Sequence, residues 1–211
     1  MSIAAGWTGA SEEFVTLMRE RLIVAQSTHE QGKAKEIELK MLIDKGNQAT
    51  TLNNYNDAIE YYKKALALDP TIAEVHYNLG ITYAGKGMAD EAIAEYKKAL
   101  AITPNDAEIQ NNLGAVYLNQ RIESEALSAC LKAIALDPDL PAAHYNLGII
   151  YERKGQKAAA ADYFYKAGLL YLKEGDREWA IKAHKALKGT HATQLEEALL
   201  EKLNADATLK K

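Results

Sequence analysis

A 34-residue period is the feature of this sequence that most restricts its possible folds. Glycines recur at this interval, and tyrosines, alanines and prolines recur with them at fixed offsets. The recurring sets are Gly80, Gly114 and Gly148; Tyr83, Tyr117 and Tyr151; Ala92, Ala126 and Ala160; Ala99, Ala133 and Ala167; and Pro70, Pro104 and Pro138. A fixed period of this length indicates stacked copies of one small unit rather than a single compact core.

The residue types within each period predict a pair of helices. Small residues such as Gly80 and Ala92 allow two helices to approach within about 8–10 Å. The second helix ends at a proline such as Pro70, because proline lacks an N–H donor and disfavours helical backbone in the preceding residue. Gly87 and Gly155 are turn formers between the two helices. Each period therefore reads as helix, turn and helix.

Local residue choices also predict caps and one strained turn. Thr71 and Asn105 are each followed three residues later by glutamate, which is the spacing of a capping box. Arg121 stands where the neighbouring periods have Gly87 and Gly155. Those glycines permit left-handed backbone, which costs other residues ~1–2 kcal/mol. We therefore expect Arg121 to adopt a positive φ or its turn to be rearranged.

This pattern resembles the tetratricopeptide repeat family. One period carries His76, Leu79, Gly80, Tyr83, Ala92, Tyr96 and Pro104 in the family's order, with His76 where tryptophan is usual. The resemblance implies an all-α fold, a right-handed superhelical solenoid of antiparallel helix pairs. It covers four repeats, at residues 39–72, 73–106, 107–140 and 141–174.

The C-terminal end departs from the repeat pattern. Leu172 replaces the closing proline of the fourth repeat, so we expect one long helix shared with a degenerate fifth repeat over residues 158–188. In that unit, Gly168 resembles the repeat glycine and His184 the large residue of the second helix. A last helix at 193–203 is expected to cap the array. Its apolar stripe is Leu195, Leu199 and Leu203.

The N-terminal end precedes the repeats. Residues 1–10 are expected to be a disordered tail, and residues 11–31 an amphipathic helix that ends at Gly32. The apolar stripe of this helix is Phe14, Leu17, Met18, Leu22 and Ala25. Such a stripe needs cover, and we expect it to cap the edge of the first repeat. The alternative is that it lies in a concave groove or against a partner subunit.

Composition excludes several functional classes. The 211 residues carry a formal net charge of −4 without clustered lysines and arginines, so no nucleic-acid partner is expected. No segment approaches the ~20 apolar residues of a membrane-spanning helix. The N-terminus lacks the basic start and apolar run of a signal peptide. We therefore expect a cytoplasmic protein without membrane insertion.

The reactive side chains do not form a catalytic pattern. The single cysteine, Cys130, has no base predicted nearby and is expected to be a small buried residue. His76 and His144 share one repeat position, where a packing aromatic residue is usual. Two repeats separate these histidines by roughly 20 Å, which is too far for both to bind one metal ion. The sequence predicts no enzyme, no cofactor and no metal site.

Three asparagines at one repeat position are the main candidates for a functional site. Asn78, Asn112 and Asn146 each directly precede a Leu-Gly pair in the first helix of a repeat. Asparagine is a weak helix former, so helix propensity does not explain this choice. In the family that this sequence resembles, the first helices line a concave surface, and in some members a similar asparagine ladder holds extended peptide backbone. A carboxamide can both donate to and accept from such a backbone.

Other side chains are expected to share the groove with this asparagine ladder. They are Tyr77, Ile81, Asn111, Ala115, Leu118, Tyr145 and Ile149, with Glu74, Glu108, Glu152 and Arg153 near the edges. The resemblance does not extend to family members that grip acidic C-termini. Asn47 and Asn78 match two asparagines of that clamp, but Ile43, Glu108 and Asn112 replace its basic residues.

The sequence therefore predicts a scaffold or adaptor that binds an extended segment of another protein. Three alternatives stay open. The asparagines can be structural residues inherited through repeat duplication. The chain can be a self-assembling structural protein, that is, a homo-oligomer. It can also be the binding subunit of an enzyme whose catalytic chain is separate.

Overall fold

In the computed structural model, residues 12–209 are described, and this part of the chain is all α-helical. The helices are α1 (Glu12–Thr51), α2 (Tyr55–Leu68), α3 (Ala73–Gly85), α4 (Ala89–Ile102), α5 (Ala107–Asn119), α6 (Glu123–Leu136), α7 (Pro141–Arg153), α8 (Lys157–Glu174), α9 (Arg177–Gly189) and α10 (Thr193–Leu209). Consecutive helices pack in antiparallel pairs that stack into a right-handed solenoid, which confirms the predicted fold class. The first helices of the pairs, α1, α3, α5 and α7, also contact one another in order and form the inner surface.

The periodic glycines lie where the two helices of a pair come closest. A Cβ built at Gly80 would lie 2.6 Å from Cε1 of Tyr96, and one at Gly148 would lie 2.5 Å from the ring of Phe164. In the third pair, the corresponding large side chain is replaced by Cys130. That thiol is fully buried, as predicted, and burial raises its pKa to about 12. The small residue in the first helix thus makes room for the large one in the second.

The turns inside the pairs have the backbone that the sequence predicts. Gly87 and Gly155 have φ of 81° and 73°, and Arg121 at the equivalent place has φ of 59°. The Arg121 side chain is exposed. This turn therefore holds a non-glycine residue in left-handed backbone, and the prediction for Arg121 is confirmed.

Replacing Arg121 with glycine is expected to leave the melting temperature level or to raise it modestly. Removing the strain of left-handed backbone stabilises the folded state by ~1–2 kcal/mol. The greater freedom of glycine in the unfolded chain destabilises the folded state by ~0.4–1 kcal/mol, which offsets part of that gain. The matched variant is Gly155→Arg, which introduces the same strain one repeat later and should lower the melting temperature. A clear fall for Arg121→Gly in thermal unfolding would contradict this account.

The two predicted capping boxes are wrong. The N-cap of α3 is Ile72, which makes no side-chain cap, while Thr71 donates from its N–H and its hydroxyl to Asp69 Oδ1 at 2.8 and 2.7 Å. Thr71 is therefore part of the loop before the helix. The N-cap of α5 is Asp106, whose carboxylate accepts from the Ile109 N–H at 2.9 Å. The residue after Asn105 takes the capping role, because the helix begins one residue later than the spacing suggested.

The N-terminal helix does not end at Gly32. Helix α1 runs without a break for 40 residues and includes the first helix of the first repeat. Glycine in a helix costs only ~1 kcal/mol, and the flanking run of lysine, alanine and glutamate favours helix. The predicted capping of the repeat edge is also wrong, since Leu17, Met18 and Leu22 are 49, 44 and 60 % exposed. The predicted tail, residues 1–10, lies outside the described residues.

Polar residues explain how the first repeat tolerates an uncovered edge. Lys45 and Gln48 occupy the repeat positions that Leu79 and Thr82 fill in the next repeat, where both are buried. The Lys45 ammonium lies 5.7 Å from the ring centroid of Tyr61. Stacking a further repeat on this edge would bury that ammonium, which is costly without a paired charge.

At the C-terminal end, the predicted long helix is confirmed, because α8 continues to Glu174 past the position of the missing proline. Helix α9 follows it, and α10 extends beyond the predicted 193–203. A Cβ at Gly168 would lie 2.5 Å from Leu199 of α10, so α10 supplies the large partner that we expected from His184. Leu199 and Leu203 are buried, which confirms the predicted apolar stripe of the last helix.

Candidate functional site

Three asparagines lie at the same place on three neighbouring inner helices. Asn78, Asn112 and Asn146 are the sixth residues of α3, α5 and α7. All three side chains are partly exposed. Because the helices stack in register, the three side chains form a ladder along the inner surface.

One N–H of each ladder amide is bound to the preceding repeat. Asn78 Nδ2 donates to Asn47 Oδ1 at 3.0 Å, Asn112 Nδ2 donates to the Tyr77 hydroxyl at 2.9 Å, and Asn146 Nδ2 donates to Asn111 Oδ1 at 2.9 Å. Through these bonds the amide nitrogens connect one repeat to the next. The bonds therefore favour the alternative that the asparagines are structural residues. Alanine at a ladder position would remove an inter-repeat bond worth about 1 kcal/mol, so alanine variants do not separate binding from folding.

The carbonyl half of each ladder amide has no hydrogen-bond donor among the described residues. Since an asparagine carbonyl has two lone pairs, each Oδ1 can accept a hydrogen bond from a group outside the protein. Each Nδ2 also carries a second N–H that these bonds leave free, so each rung can still both accept and donate, and the expectation for the ladder stays a prediction.

The predicted groove residues divide into accessible and buried ones. Tyr77, Ile81, Ala115, Tyr145 and Ile149 are partly exposed beside the ladder. Asn111 is buried and serves as the acceptor for Asn146. Leu118 is 3 % exposed and packs in the core. The expectation that Leu118 lines the groove is wrong, because its side chain is buried in the hydrophobic core.

A cavity of about 300 Å³ opens at the first rung of the ladder. It is lined by Asn47, Thr50, Thr51, Tyr62, Asn78 and Ile81. Asn47 Oδ1 accepts from the Tyr62 hydroxyl at 2.7 Å, and Thr50 Oγ1 lies 3.0 Å from Thr82 Oγ1. Sequence reasoning missed Thr50, because the equivalent positions in the later repeats hold Ala84, Leu118 and Glu152 and give no periodic signal.

Carboxylates lie beside the inner surface in the region of α3 and α5. Glu108 Oε2 lies 3.4 Å from the Tyr77 hydroxyl. Burial, followed by the charges of Glu108 and Asp106, raises the pKa of Tyr77 to about 12. The pKa of Tyr62 is raised mainly by burial, with a contribution from Glu74. Both tyrosines therefore stay neutral near pH 7 and act as hydrogen-bonding groups.

Aromatic rings lie beside the inner surface in the region of α7 and α9. Trp179 of α9 is edge-on to Tyr145 at a centroid distance of 5.6 Å and stacked on Tyr171 at 5.7 Å. Lys182 Nζ lies 4.0 Å from the Trp179 ring centroid, a cation–π contact. Trp179 is 38 % exposed, so part of the indole is accessible. Trp179 lies outside the regular repeats, so no periodic signal in the sequence marks it.

The histidines have structural partners. His76 Nε2 lies 3.0 Å from the Pro70 carbonyl oxygen, and His144 Nε2 lies 2.8 Å from that of Pro138. Both rings are buried, as predicted, and fix the loop before their own helix. Across residues 12–209, no group of histidine, cysteine and acidic side chains is arranged to hold a metal ion.

No helix of the described part of the chain combines the length and the apolar character needed to cross a membrane.

Family comparison agrees with this geometry. The TPR repeat family model matches residues 46–87, 86–120 and 124–155. The chain belongs to the tetratricopeptide repeat family. Its fold therefore supports a role in protein–protein interaction.

Solved structures give the same result. A crystal structure of the MamA protein is 28 % identical, with a TM-score of 0.58 over 72 % of this chain and 91 % of that one. YrrB, described as a TPR protein with an unusual peptide-binding site, is 26 % identical, with a TM-score of 0.52 over 76 % and 90 %. MamA from Desulfovibrio magneticus RS-1 has a TM-score of 0.64 over 82 % and 95 % at 22 % identity, which supports the fold alone. No curated protein matches the chain significantly.

Proposed function

We propose that this protein is a non-enzymatic, cytoplasmic scaffold that binds an extended segment of another protein in its concave groove. The observation that carries the proposal is the ladder of carbonyl oxygens on α3, α5 and α7, each lacking a donor from residues 12–209. Stacked helices are spaced by roughly 10 Å, which equals about three residues of extended chain at ~3.3 Å each. Three rungs therefore match a segment of roughly six to nine residues.

The surroundings of the ladder support this proposal. Tyr77, Ile81, Tyr145 and Ile149 are partly exposed on the same helices and offer apolar contacts between the polar rungs. Ligand pockets in proteins combine a mostly apolar lining with a few fixed polar groups. YrrB shows that a relative with 26 % identity has a peptide-binding site.

An acidic C-terminal tail is not the ligand that this groove favours. Asn47 and Asn78, which match two asparagines of a carboxylate clamp, are hydrogen-bonded to each other at 3.0 Å. The remaining clamp positions hold Ile43, Glu108 and Asn112 in place of lysine and arginine. Glu108 would repel a carboxylate at this place.

A second candidate is self-association. The exposed Leu17, Met18 and Leu22 form an apolar face on the N-terminal part of α1, and such a face favours contact with another copy. Light scattering at increasing concentration, with the intact chain and with a chain lacking residues 1–31, separates the two candidates. A concentration-dependent mass that disappears on deletion would favour self-association.

Filling the groove with a large side chain tests the proposed function. Ala115 is the partly exposed residue of α5 between Ile81 and Ile149 in the repeat register, so Ala115→Trp should block the groove. Ser128 is exposed on the outer helix α6, and Ser128→Trp is the matched control. The measurement is retention of a pool of random peptides about nine residues long on the immobilised protein.

We expect the wild type and Ser128→Trp to retain the pool and Ala115→Trp to lose retention by at least ~10-fold, an effect of about 1.4 kcal/mol. Circular dichroism should show equal helix content for all three. Equal retention by Ala115→Trp, or no retention by the wild type, would remove the proposed function.

A further inference from the structure

The inner surface from α3 to α5 carries only negative formal charge. Among Asp, Glu, Lys and Arg residues, α3 has Glu74 alone and α5 has Glu108 alone. Both side chains are exposed. Within residues 12–209, neither carboxylate forms a salt bridge. These carboxylates are therefore available to a cation from another molecule.

The neighbouring ladder atoms have the same preference. One N–H of Asn78 is bound to Asn47 and one N–H of Asn112 to Tyr77, while no donor among the described residues reaches either Oδ1. Each rung therefore offers two acceptor lone pairs but only one free N–H. Oxygen acceptors and carboxylates both favour hydrogen-bond donors, and lysine and arginine side chains bring donors without acceptors.

The basic side chain on the next inner helix does not offset this charge. Arg153 of α7 donates from Nη1 to the Leu118 carbonyl oxygen at 2.7 Å, which holds its guanidinium against the protein. Lys182 lies against Trp179, beyond the ladder. On α7 the exposed Glu152 is balanced by the neighbouring Arg153, so the net negative charge lies in the α3–α5 half of the groove.

We infer that the groove selects a basic extended segment, with lysine or arginine side chains placed to meet Glu74 and Glu108. This inference rests on the proposed function and specifies its ligand. Adjacent stacked helices are roughly 10 Å apart, so the two basic residues lie about three positions apart in an extended chain. Peptide N–H groups between them donate to the ladder oxygens.

Three peptide pools test this inference. Each pool is about nine residues long, random except at two positions three residues apart, which are fixed as Lys, Gln or Glu. We expect the wild-type protein to retain the Lys pool at least ~10-fold more than the Glu pool, because opposite charges attract and like charges repel at this range. Glu108→Lys leaves one negative and one positive charge at the two positions, so it should bring the retention of the two pools close together.

Asn112→Asp is the sharpest variant. It keeps a carbonyl-type acceptor at the rung and adds a negative charge, and the Tyr77 hydroxyl can turn to donate to it, so the inter-repeat contact survives. We expect several-fold greater retention of the Lys pool. Ser128→Asp adds the same charge on an outer helix and should change retention less than ~2-fold, since exposed charges beyond ~10 Å are screened.

The outcomes separate this inference from the proposed function. If the wild type retains the Lys and Glu pools equally and Ala115→Trp retains neither, the groove binds peptides without a preference for basic side chains. That outcome overturns this inference and leaves the proposed function standing. If Asn112→Asp and Ser128→Asp raise retention of the Lys pool equally, the preference comes from the overall charge of the protein rather than from the groove. That outcome also overturns the inference. No retention of any pool removes the groove itself. Self-association abolished by Ala115→Trp means that a second copy occupies the groove, and the inference fails.

Discussion

Replacing Gly148 with alanine is expected to lower the melting temperature. The new Cβ would lie 2.5 Å from two ring atoms of Phe164, which is fully buried and has no space to move into. Overpacking of this kind costs ~1–3 kcal/mol. For a chain of this size, that corresponds to a fall of roughly 2–12 °C. Thermal unfolding followed by circular dichroism measures it.

Gly32→Ala is the matched control for the glycine prediction. A Cβ at Gly32 meets no atom within 4 Å, so alanine adds helix propensity without a clash. We expect unchanged or greater helix content and no fall in melting temperature. Equal melting temperatures for Gly148→Ala and the wild type would show that α7 and α8 are not held at the observed distance.

Removing the Glu95 carboxylate is expected to destabilise the second repeat strongly. His76 Nδ1 lies 2.6 Å from Glu95 Oε2, and both side chains are about nine-tenths buried. Glu95→Ala leaves a buried imidazole nitrogen without its partner, and breaking one side of such a pair costs about 3 kcal/mol. Glu91→Ala, an exposed change in the same helix, should cost less than ~1 kcal/mol. Denaturant unfolding of both variants measures the difference.

The third repeat suggests how to rescue the Glu95 variant. At the positions of His76 and Glu95 it has Gln110 and Ala129, and both are buried. The double variant His76→Gln with Glu95→Ala copies that pairing, so it should recover most of the stability lost by Glu95→Ala. A double variant less stable than Glu95→Ala would show that the histidine does not depend on the carboxylate.

The overall fold could be predicted because the 34-residue period repeats the same packing contact. Gly80 and Gly148 each accommodate a large residue of the partner helix, so their spacing reports helix pairing directly. The positive φ at Arg121 followed from the glycines at equivalent turns. Repetition made these features visible in a single sequence.

Features that occur once were harder to predict. Gly32 was taken as a helix end, although in a long helix with good flanking helix formers its cost is small. Trp179 and Leu199 lie beyond the last regular repeat, where no second copy marks their role. The ladder asparagines were found, but their hydrogen-bond direction depends on which atoms of Asn47 and Tyr77 are in reach, and spacing does not contain that information.

Nuclear magnetic resonance of the asparagine side chains tests the central claim most directly. A lysine-containing peptide recovered from the retained pool is titrated into protein labelled with nitrogen-15 at asparagine. We predict saturable shifts of the side-chain amide signals of Asn78, Asn112 and Asn146, because each Oδ1 gains a donor from the peptide. Asn56, exposed on the outer helix α2, should not shift. Shifts of Asn56 with unchanged ladder signals would contradict the account, since the peptide would then bind the outer surface.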